Sequence, residues 1–198
     1  MILAKTDDDP WFVAIGASGS VGLDDIGALL HELPYALNAV VMVVLHRPWD
    51  RVSHLREVLS RSSLMPVLVA IQDEQFEAGR AYIGEPAEHL TLAAQSFGTL
   101  IEDRDRRYRN RTVDLLLLSL AAHAGVRSIG VILSGFLDDG SQGLAAIHHA
   151  GGLTMVIQPS GSPVPGMPEN AIAYDGPIDV IGSPEEIAHA ITAVVAGS

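Results

Sequence analysis

Three residue types that together make an alcohol nucleophilic stand at the ends of three apolar runs. Ser18 closes "WFVAIGAS", His46 closes "AVVMVVLH", and Asp138 and Asp139 close "GVILSGFLDD". A histidine can take a hydroxyl proton near neutral pH, and a carboxylate can fix the imidazole tautomer and steady its charged form. Gly16 and Gly19 permit a tight turn that exposes Ser18, and N–H groups at the start of a following helix can receive an oxyanion. Ser20 is a second hydroxyl in the same loop, and either aspartate could orient the ring. Taken singly, each residue has a plainer role. A serine between glycines is an ordinary turn, a histidine at a strand end is structural, and "DDG" is a turn that caps the next helix.

These residues can meet only if the runs that carry them are neighbouring strands with the same direction. From Trp11 the pattern reads strand, helix, strand, helix: "WFVAIGAS", "LDDIGALLHEL", "AVVMVVLH" and "RVSHLREVLSRS". That alternation predicts parallel strands buried on both faces. The shorter pieces "PVLVAI", "RAYIGEP", "HLTLAAQ" and "GTLIED" read as small antiparallel strands or hairpins beside the main sheet. "TVDLLLLSLAAHAG" reads as a helix with Thr112 as its N-cap and Gly125 as its C-cap. The last third repeats the opening: strand "SIGVILSG", helix "SQGLAAIHHAG", strand "LTMVIQ", a short helix near "PENAIA", strand "IDVIG" and helix "SPEEIAHAITAVVA". The expected fold class is α/β, a three-layer doubly wound sandwich with a mainly parallel sheet and a small antiparallel hairpin insertion. It is expected as one domain over residues 1–198, with 1–10 as a loose tail. In such a sheet ligands lie at the carboxyl ends of the strands, where Ser18, His46 and the aspartates fall.

Other uses of the glycine loop fit less well. Gly16, Gly19 and Gly22 imitate a dinucleotide loop, but that design needs an acid at the end of the second strand, which here reads "LHRP". A P-loop lacks its lysine. The Gly-x-Ser-x-Gly elbow fails because Ser20 occupies the last glycine position, and the chain order is Ser, His, Asp.

Composition narrows the classes further. A 198-residue chain that is 48% hydrophobic can bury a core without staples. It has no cysteine, which removes disulfides, thiolate zinc sites and cysteine nucleophiles. A formal charge of −12 disfavours nucleic acid and anionic lipid as partners. "MILAKTDDDPWF" is too short and acidic for a secretory signal, and no apolar run reaches the roughly 18 residues that span a bilayer. A soluble cytoplasmic protein is expected. His148 and His149 are adjacent on a helix and do not share a face, His89 is expected to pack under a loop, and no other histidine has a partner at ligand spacing, so no metal is expected.

In order and approximate spacing, "VAIGAS", "VVLHRP", "AGRAYIGEPAEHLTL", "GVILSGFLDDGSQGL" and "VPGMPENAI" resemble the catalytic domain of CheB-type protein-glutamate methylesterases of bacterial chemotaxis. The resemblance covers nearly the whole chain after residue 10. It implies hydrolysis of glutamate methyl esters on chemoreceptors, often with deamidation of receptor glutamines, and no metal or organic cofactor. It also implies Ser18 as nucleophile, His46 as base and Asp139 as the orienting acid, with Ser20 and Asp138 as fallbacks. The main-chain N–H groups near Gly19 and Phe136 become the expected oxyanion donors. Met167, with Pro168, is expected either as an apolar floor beside the ester or as core packing. The cationic run "RDRRYRNR" supplies Arg109 as a substrate contact, offsetting repulsion between this acidic chain and acidic receptor helices. Leu137 stands where the family pattern has a glycine, so a backbone there at positive φ would be strained. The family's usual receiver domain is not in this sequence, so a separate receiver or signalling protein is an expected partner. A CheB-like binding module that has lost efficient chemistry is the alternative reading.

Overall fold

The computed structural model describes residues 9–47, 53–86, 88–102 and 111–197. Seven strands form one sheet: β1 (Trp11–Ser18), β2 (Ala39–His46), β3 (Val67–Val69), β4 (Arg80–Ile83), β7 (Ser128–Ile132), β8 (Leu153–Ile157) and β9 (Val180–Gly182). Their order is β3-β4-β2-β1-β7-β8-β9, and every pairing is parallel. β5 (Glu88–Leu92) and β6 (Gly98–Glu102) make a separate antiparallel pair.

The burial on both faces follows from strand alternation. Val13 and Ile15 of β1, Val41 and Val43 of β2, and Ile129 and Val131 of β7 face one core, shared with α1 (Gly19–Glu32) and α6 (Pro184–Ala196). Phe12 and Ala14, Val40 and Met42, and Ile132 face the other, shared with α3 (Thr112–His123), α4 (Ser141–His149) and α5 (Met167–Tyr174). Successive side chains on a strand point to opposite faces, so an uninterrupted apolar run needs cover on both. On α1 the residues Ile26, Leu29 and Leu30, continued by Leu33, form the apolar stripe that meets the sheet.

The chain moves from β1 to β2 on one side and returns to β7 on the other. α1, which follows β1, and α4, which follows β7, therefore cover opposite faces. β1 and β7 thus flank the switch point of the sheet, the place where open α/β sheets hold their ligand crevice. Leu133 N donates to Gly16 O at 2.9 Å and Ser18 N to Ser134 O at 3.0 Å, which keeps the two strands joined up to that point.

Three expectations are corrected. "PVLVAI" and "RAYIGEP" contribute β3 and β4, which extend the main sheet in parallel, leaving only β5 and β6 as the antiparallel insertion. Strands of three and four residues carry too little pattern to reveal their direction. Within "RVSHLREVLSRS" the helix α2 spans only Leu55–Leu59. Thr112 is the first helical residue of α3, with Arg111 at the N-cap; Ala124 is the C-cap, and Gly125 just beyond it takes the left-handed φ of +58°.

Candidate functional site

Ser18 is the last residue of β1 and the N-cap of α1, with extended backbone (φ −143°, ψ 144°). An N-cap serine ordinarily accepts from the helix it precedes, but the Ser18 side chain makes no such bond. Its Cα partner across the parallel ladder is His46. Residues paired this way on strands about 4.8 Å apart project to the same face. By alternation that face is the one covered by α3 and α4, because Phe12 and Ala14, Val40 and Met42 lie on it.

The N-terminus of α3 meets His46 there. Nε2 of His46 lies 2.5 Å from Oδ2 of Asp139. The aspartate is 3% exposed and the imidazole 19%. Asp139 Oδ2 also accepts from Val113 N and its Oδ1 from Asp114 N, both at 2.9 Å. A carboxylate at the first turn of a helix meets the positive end of the helix dipole and N–H groups that have no partner within the helix. Thr112 Oγ1 lies 3.4 Å from Nε2 of His46. With Nε2 directed at the carboxylate, the imidazole that donates there carries its proton on Nε2 and keeps a lone pair on Nδ1.

Of the two adjacent aspartates, only Asp139 reaches the histidine. Asp138 is 60% exposed and its Oδ2 lies 3.5 Å from Nη2 of Arg111. Ser20 is exposed within the first turn of α1. Arg47, next after His46, donates from Nη2 to Gly84 O at 2.6 Å and ties the end of β2 to the loop after β4. Burial lowers the pKa of this guanidinium from its ordinary value, against the raising effect of Glu85.

The backbone beside Ser18 is formed by Gly19 and the segment Ser134–Phe136. Gly19 has φ +73°, a conformation open to glycine at little cost, and a Cβ there would lie 3.6 Å from the Phe136 ring. Gly135 packs so closely that a Cβ would come within 2.9 Å of Ser18 Cβ, 3.0 Å of Ser18 N and 2.2 Å of Met167 Sδ. Met167 is fully buried and its N donates to Gly135 O at 3.0 Å, so it supports this loop from the core side. Phe136 and Leu137 are 75% and 62% exposed and give the crevice an apolar rim. Leu137 has φ +68°, a conformation a glycine would adopt freely but a leucine holds under strain, and Asn170 Nδ2 donates to its carbonyl at 2.7 Å. Arg109 lies outside the described residues.

Sequence reasoning missed Asp114. It is buried, and its Oδ1 accepts from Gly140 N at 3.0 Å and Gly143 N at 2.8 Å while its Oδ2 accepts from Arg111 Nη1 at 2.9 Å. Desolvation raises its pKa, opposed by the Gly143 N–H bond and by Arg111. Arg111 is pushed up in turn, mainly by its bond to Asp114. The only signal in the sequence was an acid in the first turn of a helix, a placement that macrodipole arguments make commonplace.

The fold and site together define a doubly wound α/β protein whose switch-point crevice holds a strand-end serine beside a histidine–carboxylate pair, a set that can carry out acyl transfer. The chain matches the CheB methylesterase family over residues 13–191 and belongs to it. It is 34% identical over 172 residues to the protein-glutamate methylesterase/protein-glutamine glutaminase of Yersinia pestis bv. Antiqua, covering 85% of this chain and 49% of that protein. A Bordetella avium protein-glutamate methylesterase/protein-glutamine glutaminase is 31% identical over 180 residues, covering 90% and 52%. The chain thus spans about half the length of the curated relatives it matches. The crystal structure of the Thermotoga maritima CheB methylesterase catalytic domain superposes with a TM-score of 0.81 at 26% identity, covering 93% of this chain and 98% of that one. Among the described residues no helix is long and apolar enough to cross a membrane.

Proposed function

We propose that this chain is a serine esterase that hydrolyses γ-methyl esters of glutamate on chemoreceptors in the cytoplasm and deamidates receptor glutamines. The observation that carries the reading is the His46–Asp139 bond, formed on the sheet edge where Ser18 and His46 are ladder partners. Ser18 Oγ attacks the ester carbonyl while His46 Nδ1 takes its proton. The oxyanion is received by the N–H groups of Gly19 and Phe136. His46 then protonates the departing methoxide, and methanol leaves. Water, deprotonated by His46, cleaves the acyl-enzyme to free glutamate and regenerates Ser18. Asp139 holds the ring and offsets its positive charge between these transfers. The exposed Phe136 and Leu137 supply an apolar surface for the ester methyl and the neighbouring substrate side chains, and Arg109 a charge for acidic ones.

A serine-directed fluorophosphonate tests this directly. The native protein should be labelled on Ser18, and Ser18→Ala should abolish both labelling and methanol release from a peptide carrying a γ-methyl glutamate ester. Equal labelling of Ser18→Ala refutes the assignment. Leu137 at positive φ, where the family pattern has glycine, favours a second reading, a binding module without turnover. Receptor binding that survives Ser18→Ala, with no methanol release by the wild type, would establish it.

A further inference from the structure

The N-termini of α3 and α4 are cross-capped by each other's carboxylates. Neither helix receives a side-chain cap from its own N-cap residue, Arg111 for α3 and Gly140 for α4. Asp139, just ahead of α4, instead accepts from Val113 N and Asp114 N in the first turn of α3. Asp114, in the first turn of α3, accepts from Gly140 N and Gly143 N at the start of α4. The first N–H groups of a helix have no partner within it, and buried ones must find one elsewhere. Each carboxylate meets that requirement for the opposite helix, so the two first turns hold one another in a single relative position. Arg111 flanks the clasp, bonded to Asp114 at 2.9 Å and 3.5 Å from Asp138, the neighbour of Asp139.

We infer that Asp114 is a positioning residue for the esterase centre: by anchoring the backbone at Gly140 and Gly143 it holds the adjacent Asp139 at His46. The inference rests on the esterase reading for its effect on rate, though not for its effect on geometry. Gly140 has φ +100° and follows Asp139 directly. A release of its N–H therefore lets the carboxylate withdraw from the 2.5 Å contact with Nε2. Asp114 also touches Asp139 directly, through its own N–H bond to Oδ1 at 2.9 Å, a main-chain bond that substitution of its side chain leaves in place.

Asp114→Asn and Asp114→Ala, made in the full chain, test this. Asparagine keeps an oxygen for Gly140 N and Gly143 N and loses the ion pair with Arg111, whereas alanine removes every acceptor. The first readout is the low-field proton resonance of the His46 Nε2–H···Asp139 bond, identified by its loss in His46→Ala. It should persist in the wild type and in Asp114→Asn and vanish or broaden in Asp114→Ala. The second readout is turnover of a γ-methyl glutamate ester peptide. Asp114→Ala should lower kcat by about 100-fold with KM changed by less than about threefold, as for an ångström-scale misplacement, and Asp114→Asn should restore kcat to within about tenfold. Where Asp114→Ala fails to fold by circular dichroism, Asp114→Ser, with one shorter acceptor, takes its place with the same expectation. A folded Ala or Ser variant that keeps the resonance and the wild-type kcat overturns the inference. So does Asp114→Asn behaving like Asp114→Ala. A wild type that neither turns over the ester nor takes the fluorophosphonate sinks the proposed function instead, and the resonance comparison still decides the role of Asp114.

Discussion

Replacing Asp139 by asparagine asks a carboxylate site to work with one oxygen. The wild-type group accepts three N–H bonds: Val113 N and His46 Nε2 on Oδ2, and Asp114 N on Oδ1. An amide can be placed in two ways. With its oxygen toward His46 it keeps two of these bonds, and its NH2 confronts the buried Asp114 N–H. With its NH2 toward His46 it keeps Asp114 N and donates to Nε2, leaving Val113 N–H unpaired and moving the imidazole proton to Nδ1. Either orientation leaves a buried donor unsatisfied, a cost of about 1–3 kcal/mol in stability. Neither supports catalysis. The first removes the charge that offsets the imidazolium, and the second removes the lone pair that would take the Ser18 proton. By analogy with the same change in other serine triads, kcat should fall by about 10⁴-fold while the fold persists. Hydrolysis of the γ-methyl glutamate ester peptide, read beside urea denaturation and ¹⁵N chemical shifts of His46, measures both losses and identifies the tautomer. A cooperatively folded Asp139→Asn protein with kcat within tenfold of wild type would refute the coupling of Ser18, His46 and Asp139.

Further expectations come from the same region. Gly135→Ala places a methyl 2.9 Å from Ser18 Cβ and 2.2 Å from Met167 Sδ; it should cost about 1–3 kcal/mol by overpacking and about 100-fold in kcat, seen in urea melts and ester turnover. Leu137→Gly relieves about 1–2 kcal/mol of left-handed strain and adds about 0.5–1 kcal/mol of unfolded-state entropy, so losing this large exposed side chain should leave stability unchanged or slightly higher in urea melts. Asp114 gives a pH dependence. Burial raises its carboxyl above the ordinary 3.8, so its protonated form contributes stability below that pH, and the contribution is lost as pH rises through the raised folded value. The stability deficit of Asp114→Asn relative to wild type should therefore be larger near about pH 3.5 than near about pH 7 in paired urea melts, and the reverse trend would contradict the role given to desolvation.

Much of this site was legible along the chain because its local signals need no long-range information. Apolar runs ending in Ser18 and His46 mark strand ends, and a leucine in a glycine position marked 137 as a place where positive φ would be strained. The five motifs in register carried the family. What they could not supply was adjacency. Ser18 and His46 are ladder partners because β2 lies beside β1 in the sheet order, and the His46–Asp139 bond spans 93 residues. The choice of Asp139 over Asp138 is a matter of which side chain the first turn of α3 can reach. The ring nitrogen that keeps a lone pair is whichever one the buried carboxylate does not take. Asp114 stayed hidden for the same reason, since an acid in a helix's first turn looks like self-capping until a second helix is brought against it. Local composition determines strands, turns and backbone strain through short-range sterics and alternation. Hydrogen-bond partnership between buried groups depends on which surfaces the sheet order and helix packing bring face to face, and only the tertiary structure decides that.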